Sequence, residues 1–581
     1  MGISGRARRF DIVAAGAAPG LLAGTLVAGL IFFLNPQLPF APLPVARALA
    51  FYGAVFGAVS LALHLPFTWR RRRRARRIVP WSFTVVLAAF AASDASHASH
   101  FAYYLPPGIN DRLLKAGLWL GLAAVVSFYT ALVHTLQRRP YGKRSRWLYL
   151  ALAAASVYVQ LERREAFHAA PAPTPTPTRA EASRSLRLCV VGLETATLDA
   201  ILPLAEQGEL PYLASLLRRG AYARLSSLTP TRRPALWTTL GSGKHPYKHG
   251  IVDPQVFPAG FLGRDAVLKL LPRGLAFRSW GVPGSRPQRV DSRARQALAL
   301  WEILARLDIA AGLVGWPLTS PPPRELSFAL SDRFFGPARP GPAAGAPEEL
   351  AERALLFRVE PADLDTTLRA RFGEPPPEGV LRPLVNDAWR ESLSLFLLQQ
   401  GPEVEVFFVV LPGLSSISRK YYGGYQAAQF EARQEPRVHA AARAVAAYYA
   451  HLDAALARLT HPERGFELIA VVSAYGVEGA AGWRRLGNEL RRRPILEGHF
   501  DGGPDGLLLL AGRGVREGEF LGQASIVDVA PTLLYALGLP VGGDMDGRVL
   551  TGAFAPDFLA THPLNFLPSY EALTASPPAA P

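Results

Sequence analysis

Long apolar runs in the first 161 residues restrict this part of the chain to helices within a membrane. Four runs each exceed the ~20 apolar residues that a helix needs to cross a hydrocarbon core. They are 12–34, 45–67, 78–105 and 113–136. Inside lipid, backbone polar groups must be satisfied within the chain, which a helix achieves in a single segment. We predict an all-α transmembrane bundle over 1–161.

Arginine-rich segments between the runs predict which ends face the cytoplasm. The segment 70–77 holds seven arginines and 138–146 is also basic, whereas the loops 35–44 and 106–112 carry little positive charge. The positive-inside rule places the basic segments and the N-terminus in the cytoplasm. The run 147–161 is a fifth, shorter candidate span.

Five spans put the large C-terminal part outside the cytoplasm. Four spans, with the run 147–161 lying on the membrane, keep it inside. We favour five, because flanking arginines can snorkel and the bilayer can thin around a short helix.

The net charge of +17 does not by itself indicate a nucleic-acid partner. Lys and Arg total 63 against 46 Asp and Glu, and much of the excess lies between the apolar runs, where membrane topology accounts for it. We therefore expect the lipid bilayer as a partner and no nucleic acid. The single cysteine, Cys189, excludes an intrachain disulfide and is expected to lie in the core.

Three ionisable residues near the outer end of the third run are spaced three residues apart. They are Asp94, His97 and His100. This spacing puts them along one helical face, which could bind a cation or a lipid headgroup. We favour the alternative, a solvated helix end that packs against its neighbours, because short motif matches carry a high risk of false positives. One hypothesis is thus that the transmembrane part is the functional one, with the large domain as a lid.

After the bilayer segment, a Pro- and Thr-rich spacer precedes a region with the pattern of an α/β domain. The spacer 162–185 cannot build a core and should be extended. Short apolar runs then alternate with helical patterns, which predicts a mostly parallel sheet with helices on both faces. The predicted strands are 186–191, 310–314, 404–411, 466–472 and 506–510, and the clearest predicted helix is 438–459.

Two segments of the predicted domain 186–560 interrupt this alternation. Gly, Pro and Arg are frequent in 255–295, and 332–349 has a similar irregular character, so both are predicted to leave the sheet. The C-terminal segment 561–581, which ends in ASPPAAP, is predicted to be a disordered tail.

Several motifs of this region, in this order, resemble those of a known family. They are GLE (192–194), PALWTTLGSGKHPYKHGI (234–251), LWEIL (300–304), GWPLTSPPP (315–323), ASIVDVAPTLLYALGLP (524–540) and DMDGRVL (544–550). The stretch 185–555 resembles the type I phosphodiesterase/nucleotide pyrophosphatase family of the alkaline phosphatase superfamily. The resemblance implies an alkaline-phosphatase-like, sulfatase-like fold, inserted segments that cap the active site, and work outside the cytoplasm.

The resemblance also implies a catalytic site. Active members use two divalent metals, usually zinc, to activate a Thr or Ser nucleophile. The positions that match are Glu194 for the first Asp ligand, Arg233 for the nucleophile, Ser415 and Arg419 for an Asp and a His, Ala474 and Tyr475 for an Asp and a His, and His499 for the last His.

Only His499 keeps the family's residue, and Glu194 is a plausible substitute that would serve the other metal. One protein ligand per metal cannot hold zinc, so we expect no cofactor and no two-metal hydrolysis. Arg233 and Arg419 could replace part of the lost positive charge, and Glu194 could pair with one of them. The pocket could then bind phosphate, sulfate or a lipid headgroup through bidentate arginine contacts. We favour the alternative that the arginines seal the old site, because isolated arginines more often satisfy local charge than recognise a ligand.

An active hydrolase with a rearranged site is the alternative hypothesis. It requires Glu194 and His499, with Asp501 or Asp505, to converge on one metal at about 2.0 to 2.2 Å. A threonine such as Thr231 would act as the nucleophile. Two zinc or other divalent ions would then be the cofactors.

Other matched residues are expected to be structural. His249 is predicted to form a structural hydrogen bond near the site. Asp528 and Asp546 are predicted to cap helices or form turns. Lys244 and His245 are expected to face solvent.

These features together predict a multi-pass protein of the cell membrane with a large extracytoplasmic domain. We expect a catalytically inactive family member, a pseudoenzyme that acts as a binding or scaffold module at the extracytoplasmic membrane surface. The expected ligand is a protein or an envelope component that carries phosphate or sulfate.

Overall fold

The structure is a computed structural model that describes residues 2–70, 72–139, 141–162, 186–336, 344–373, 376–377, 379–430, 435–479 and 496–575. The chain divides into two compact units. The first consists of Met1–Ala169 and Val252–Arg289, and the second of Ala170–Ile251 and Val290–Pro581. The predicted spacer, from residue 163 onward, and the side chains of the arginine-rich segment 70–77 lie outside the described residues.

The regular elements are numbered along the chain. The described strands are β1 Leu188–Leu193, β2 Gly220–Ser226, β3 Gln255–Pro258, β4 Val267–Leu268, β5 Gln288–Arg289, β6 Ala311–Val314, β7 Phe328–Leu330, β8 Gly345–Ala346, β9 Val406–Leu411, β10 Leu468–Ser473, β11 Glu478–Gly479, β12 Gly498–His499, β13 Gly506–Gly512, β14 Glu519–Ser525, β15 Val541–Gly542 and β16 Phe566–Leu567. The described α-helices are α1 Gly2–Leu34, α2 Pro42–Arg70, α3 Arg72–His100, α4 Pro107–Leu136, α5 Lys143–Leu161, α6 Leu198–Glu206, α7 Pro211–Arg218, α8 Arg233–Ser242, α9 Pro246–His249, α10 Phe277–Trp280, α11 Leu300–Arg306, α12 Glu348–Ala354, α13 Thr366–Arg371, α14 Leu381–Gln400, α15 Gly413–Phe430, α16 Pro436–Leu459, α17 Val529–Ala536 and α18 Pro556–Thr561.

Helices α1 to α5 form the N-terminal part of the first unit. Four stretches are long and apolar enough to cross a membrane, and they correspond to the four long runs of the sequence. They are Gly16–Leu34, Pro42–Leu65, Ile78–His100 and Pro107–Leu136. The fifth run lies in α5, a helix of 19 residues that is not among these four. A crossing by α5, and the side of the membrane that it sets, stay predictions.

The second part of the first unit, Val252–Arg289, packs against these helices. Its strands β3, β4 and β5 form a small sheet of their own. The side chains of Phe257 and Phe277 share an apolar core with Ile31 and Tyr52 of α1 and α2. The segment therefore leaves the large sheet, as predicted, and belongs to the same compact unit as the apolar helices.

Polar contacts also fix this segment onto the helices. The buried Asn35 side chain accepts the N–H groups of Lys269 at 2.7 Å and Leu270 at 3.0 Å, and donates to the Leu270 carbonyl at 2.8 Å. The Tyr52 hydroxyl donates to the carbonyl of Gly281 at 2.6 Å. The family resemblance implied a cap over the active site, whereas these contacts give the segment a docking role on the N-terminal helices.

The second unit is built on a nine-stranded sheet with the order β14-β2-β13-β10-β1-β9-β6-β7-β8. Three neighbouring pairs, β10–β13, β13–β2 and β7–β8, are antiparallel, and the others are parallel. Every predicted strand coincides with a strand of this sheet, and the predicted helix coincides with α16. The predicted α/β fold with a mostly parallel sheet is confirmed.

Two segments that the sequence predicts to be irregular contain paired strands. Strand β8 lies within the segment 332–349 but pairs antiparallel with β7 at the edge of the large sheet. Strand β16 lies within the predicted tail and pairs with β15, while the buried Tyr570 hydroxyl donates to the Pro540 carbonyl at 2.6 Å. The predicted disorder of 576–581 concerns residues outside the described ones.

The central strands position the candidate site. In β1, β9 and β10, which are parallel neighbours, every residue is buried, as their apolar sequences predict for strands covered on both faces. Their carboxyl ends therefore meet at one edge of the sheet, where Glu194, Gly413 and Tyr475 follow. Gly192 is required in β1, because a Cβ there would lie 2.7 Å from the Trp237 ring.

Candidate functional site

Glu194, which follows β1, takes part in an internal ion pair. Its side chain is 2% exposed, and its Oε1 accepts hydrogen bonds from Arg233 Nε and from the Tyr475 hydroxyl, both at 2.5 Å. A buried carboxylate without such partners would be strongly destabilising. The structure thus pairs Glu194 with Arg233, one of the two arginines that the sequence analysis predicts to replace family residues.

Tyr475 is held as a hydrogen-bond donor to this carboxylate. Burial, and then the negative charge of Glu194, raise the pKa of Tyr475 well above its ordinary value of 10. The hydroxyl therefore keeps its proton at neutral pH. The turn after β10 is fixed by the Ser473 hydroxyl, which donates to the Tyr475 carbonyl at 2.8 Å.

Arg233 reaches the carboxylate from the start of α8. Pro234 follows it in the first turn, where the missing N–H of proline is tolerated, and Gly243 ends the helix with φ 69°. The Arg233 side chain is 41% exposed, so it also borders the space beside Glu194. Thr231 lies two residues earlier, and its hydroxyl donates to the carbonyl of Phe500.

Helix α15 contributes two more of the predicted positions. Ser415 and Arg419 are four residues apart and therefore lie on one helical face. The Ser415 hydroxyl donates to the Pro412 carbonyl at 2.8 Å. The exposed Arg419 guanidinium lies 4.6 Å from the centre of the Phe500 ring.

These side chains line one cleft of about 590 Å³ in the second unit. The predicted positions that line it are Glu194, Arg233, Ser415, Arg419, Tyr475 and His499. Ala474 is fully buried and is not part of the lining. The fold thus brings together residues that lie up to 305 positions apart in the sequence.

One wall of the cleft was missed in the sequence. It is formed by α14, which contributes Arg382, Asn386 and Arg390. Their spacing of four residues is the signal that could have found them, because it places all three on one helical face. Nothing in the matched family motifs points to this helix, so its polar face was not distinguished from an ordinary solvated surface.

Arg390 is the buried cation of this wall. It is 4% exposed, and its guanidinium lies 4.0 Å from the centre of the Phe335 ring. Among the described residues, its Nε and Nη1 atoms have no hydrogen-bond partner. Burial lowers the pKa of Arg390 to about 10, with the charge of Asp387 acting against this shift and that of Arg233 adding to it.

Asp387, one turn before Arg390, has other hydrogen-bond partners. Its carboxylate accepts the Gly413 N–H at 3.0 and 3.1 Å and the Tyr448 hydroxyl at 2.9 Å. Burial raises the pKa of Asp387 to about 7, although the positive charge of Arg390 acts in the opposite direction. The carboxylate therefore anchors α14 to the start of α15.

The donor set does not fit the two-zinc centre that the family resemblance implies. Within the described ranges, no group of three or more His, Cys, Asp or Glu side chains is arranged to hold a metal ion. Asp501 lines the cleft with Glu194 and His499, whereas both Asp505 oxygens accept from Gln523 Nε2 at 3.0 Å. Zinc centres use three or four closely placed N, O or S ligands, which this arrangement does not provide.

Two other matched residues make structural contacts. The buried His249 ring bonds the Thr239 hydroxyl through Nε2 at 3.0 Å and accepts the Ile251 N–H through Nδ1 at 3.2 Å. The Asp528 carboxylate accepts the Ser525 N–H at 2.9 Å, which forms a capping box before α17.

The expectation that Lys244 faces solvent is wrong. Its side chain is 6% exposed, and its Nζ lies 2.6 Å from Asp544 Oδ2 and 2.5 Å from Glu571 Oε1. Burial acts to raise the pKa of Glu571, but Lys244 outweighs it and lowers that pKa to about 2. Asp546 forms a turn contact beside this pair, because it accepts the His245 N–H at 2.7 Å.

The three ionisable residues of α3 lie in the first unit. Asp94 and His97 are buried, and His100 is partly exposed, so the predicted solvated helix end is wrong for the first two. His97 Nε2 accepts the Arg273 N–H at 2.8 Å, while Nδ1 lies 2.7 Å from the Ser93 carbonyl oxygen. The His97 imidazole therefore binds the backbone of the docked segment 252–289.

The nine-stranded sheet of the second unit has a cleft at the carboxyl ends of its central strands. Residues 188–485, just over half of the chain, match the type I phosphodiesterase/nucleotide pyrophosphatase family, and the chain belongs to this family. The resemblance identified from the motifs is confirmed. No curated protein matches the chain.

Solved structures that match the chain include three of low sequence identity. Murine ectonucleotide pyrophosphatase/phosphodiesterase 5 is 11% identical, with a TM-score of 0.35 over 61% of this chain and 95% of its own. The human protein of the same name is 10% identical, with a TM-score of 0.35 over 66% and 100%. The phosphonate monoester hydrolase SpPMH from Silicibacter pomeroyi is 13% identical, with a TM-score of 0.36 over 64% and 78%.

Proposed function

We propose that this protein is a membrane-anchored, catalytically inactive member of the family whose cleft binds an anionic ligand. The observation that carries the proposal is the engagement of Glu194 Oε1 by both Arg233 and Tyr475. In active members, the matching positions supply a metal-binding Asp, the nucleophile and a metal-binding His. Here the three side chains form one hydrogen-bonded cluster.

The chemistry of this cluster supports the loss of hydrolysis. A guanidinium offers only N–H donors and no lone pair for attack on phosphorus, so Arg233 cannot replace the nucleophile. The nearest threonine, Thr231, donates a hydrogen bond to the Phe500 carbonyl, which is an acceptor and not a base that could activate the hydroxyl. Glu194 would have to leave both of its partners before it could ligate a metal.

The size and charge of the cleft support binding. Its volume of about 590 Å³ lies in the range of small-molecule sites, which favours an open pocket over a sealed one. Its lining includes Arg382, Arg390 and Arg419 in addition to the paired Arg233. Fixed arginines are well suited to phosphate and sulfate groups, because their planar N–H donors match these oxygens.

A crossing of the membrane by α5, as a fifth span, is part of this proposal, and it would put the cleft outside the cytoplasm. The apolar residues 147–161 of α5 give about 22 Å of helix, which can cross where the bilayer thins and the flanking arginines snorkel. Trp147 and Tyr158 of this helix are 68% and 65% exposed, as expected for side chains that face lipid. A crossing by α5 would place the second unit on the extracytoplasmic side.

The proposal is tested by the metal content and hydrolytic activity of the purified, detergent-solubilised protein. Elemental analysis gives the metal content, and a bis-aryl phosphodiester with added zinc or manganese gives the activity. We expect neither stoichiometric metal nor turnover. About two equivalents of metal, with turnover that is abolished by Glu194→Gln or His499→Ala, would overturn the proposal in favour of an active hydrolase.

A matched pair of variants tests the assignment of Arg233 to the nucleophile position. Arg233→Thr returns a hydroxyl to the nucleophile position and releases Glu194, and Arg224→Thr changes an exposed arginine that pairs with Asp199. Inactivity of wild type and of both variants fits the proposal. Activity of wild type that survives Arg233→Thr would contradict the assignment of this position.

A further inference from the structure

The α14 wall of the cleft contains a buried arginine, Arg390, whose hydrogen-bond donors are not all paired. Arg390 is buried, lines the cleft, and keeps Nε and Nη1 without a hydrogen-bond partner in the described part of the chain. These two atoms carry three N–H donors. A buried charged group that lacks such partners is strongly destabilising, so acceptors supplied by a ligand in the cleft would stabilise Arg390.

The neighbouring carboxylate does not complete this environment. Asp387 directs its oxygens to the Gly413 N–H and the Tyr448 hydroxyl rather than to the arginine donors. Phe335 covers one face of the guanidinium at 4.0 Å, which holds the plane of the group and leaves its N–H edges for polar partners. The aromatic ring thus orients the Arg390 guanidinium but provides no hydrogen-bond acceptor for its N–H groups.

The backbone beside Arg390 is shaped to admit the guanidinium. Gly315, at the end of β6, has φ +67°, and a Cβ built there would lie 2.7 Å from Arg390 Nε. Only glycine adopts this backbone conformation without strain and also leaves room for the side chain. Arg390 therefore occupies a space that the absence of a side chain at Gly315 leaves open; we call this space the seat of Arg390.

The charges around this seat favour an anion. Arg233 is already paired with Glu194, but Arg419 and Arg382 line the same cleft and are exposed. Burial lowers the pKa of Arg390, and the positive charge of Arg233 adds to this shift, although the negative charges of Asp387, Asp332 and Glu194 act against it. An anion beside Arg390 would offset both of the effects that disfavour its charge. The cleft is larger than a bare tetrahedral ion, so it also has space for a group attached to that ion.

We propose that Arg390, with Arg419 on the facing helix, forms a binding site for a tetrahedral oxyanion, the phosphate or sulfate group of a larger ligand. This inference rests on the proposed binding function and names the group that the cleft recognises. The anion accepts hydrogen bonds from Arg390 and shares its charge with Arg419. The rest of the ligand, a small organic group or a lipid, occupies the remaining space.

Calorimetric titration of the full-length protein in detergent with phenyl phosphate and with inorganic phosphate, at constant ionic strength, tests this site. We expect Arg390→Met to weaken phenyl phosphate binding at least tenfold and Arg390→Lys to weaken it severalfold, because lysine keeps the charge but not the planar donors. Arg513→Met, which removes an exposed surface arginine paired with Glu467, should bind like wild type. Wild-type affinity of Arg390→Met would overturn the proposal.

A second arm distinguishes a soluble ligand from a lipid headgroup. Protein in nanodiscs of phosphatidylcholine, with and without phosphatidylglycerol, is titrated with phenyl phosphate. Loss of wild-type phenyl phosphate binding in the phosphatidylglycerol discs assigns the site to a lipid headgroup, and unchanged binding assigns it to a soluble ester. Absence of wild-type binding to phenyl phosphate, inorganic phosphate and phosphatidylglycerol would refute the site.

Hydrogen exchange of the wild-type protein keeps the proposal testable if Arg390 variants do not fold. Phenyl phosphate should slow exchange in α14 and near Gly315, and unchanged exchange there would contradict the site. The hydrolysis assay gives an independent result. If the wild-type protein turns over substrate and Arg390→Met loses phenyl phosphate binding, only the proposed inactivity is refuted. If the wild-type protein shows no turnover and Arg390→Met binds phenyl phosphate like wild type, only the Arg390 site is refuted.

Discussion

Replacement of Arg233 by methionine tests the central interaction of the candidate site. The change removes the guanidinium but keeps an unbranched side chain of similar length at the start of α8. Glu194 then keeps the Tyr475 hydroxyl as its partner at 2.5 Å and loses its only described counter-charge contact, the 2.5 Å bond from Arg233 Nε. The buried carboxylate is left charged in a poorly solvated place.

The expected magnitude follows from the exposure of the two partners. Removal of one member of a fully buried pair destabilises a protein by about 3–5 kcal/mol. Arg233 is 41% exposed, so water screens part of the interaction and we expect about 2 kcal/mol. For a unit of about 370 residues, this corresponds to a decrease of about 2–3 °C in the unfolding temperature.

The assay is thermal unfolding followed by tryptophan fluorescence, in one detergent and at one scan rate. Arg233→Met with Glu194→Gln should regain most of the lost stability, because the double variant contains no unpaired charge. Arg224→Met, which breaks an exposed 2.6 Å pair with Asp199, should change the unfolding temperature by less than about 1 °C. Wild-type stability of Arg233→Met, or a double variant less stable than the single one, would refute the reasoning.

Three further predictions concern other parts of the molecule. The pKa of Glu571 is about 2 against an ordinary value of 4.5, so its pairing stabilises the fold above about pH 4.5 and is lost as the pH falls towards 2. Lys244→Met should therefore lower the unfolding temperature at pH 7 and have little effect near pH 2. Asn35→Ala should speed amide exchange at Leu270 about tenfold or more, measured by mass spectrometry, because two backbone N–H groups lose a buried acceptor. Gly315→Ala should destabilise the protein by about 1–3 kcal/mol in thermal unfolding, because φ +67° is strained for alanine, and equal stability would argue against the described seat of the buried arginine.

The elements of the fold could be predicted because their signals are local. Strands β1, β9 and β10 are continuous apolar runs, and their alternation with helical patterns indicated a mostly parallel sheet. The motif order then identified the positions of Glu194, Arg233 and Tyr475. Edge strand β8 was missed, because two residues provide no detectable pattern.

The contacts of the candidate site depended on longer-range structure. A family motif marks the position of Glu194, but its two hydrogen-bond partners lie 39 and 281 residues away. Arg390 lies outside the matched motifs, and its role depends on the missing acceptors around it. Sequence patterns show which residues share a helical face, but they do not show which donors remain unpaired.

The sequence by itself determined the apolar helices and the α/β sheet, and it predicted the replacement of the family's nucleophile and most metal ligands. Only the tertiary structure decided that Glu194 bonds Arg233 and Tyr475, that Arg390 lines the same cleft, and that the segment 252–289 docks on α1 and α2. The physical reason is the range of the interactions. Hydrophobic periodicity acts over a few neighbouring residues, whereas the pairing of buried charges depends on which distant segments the packed core brings together.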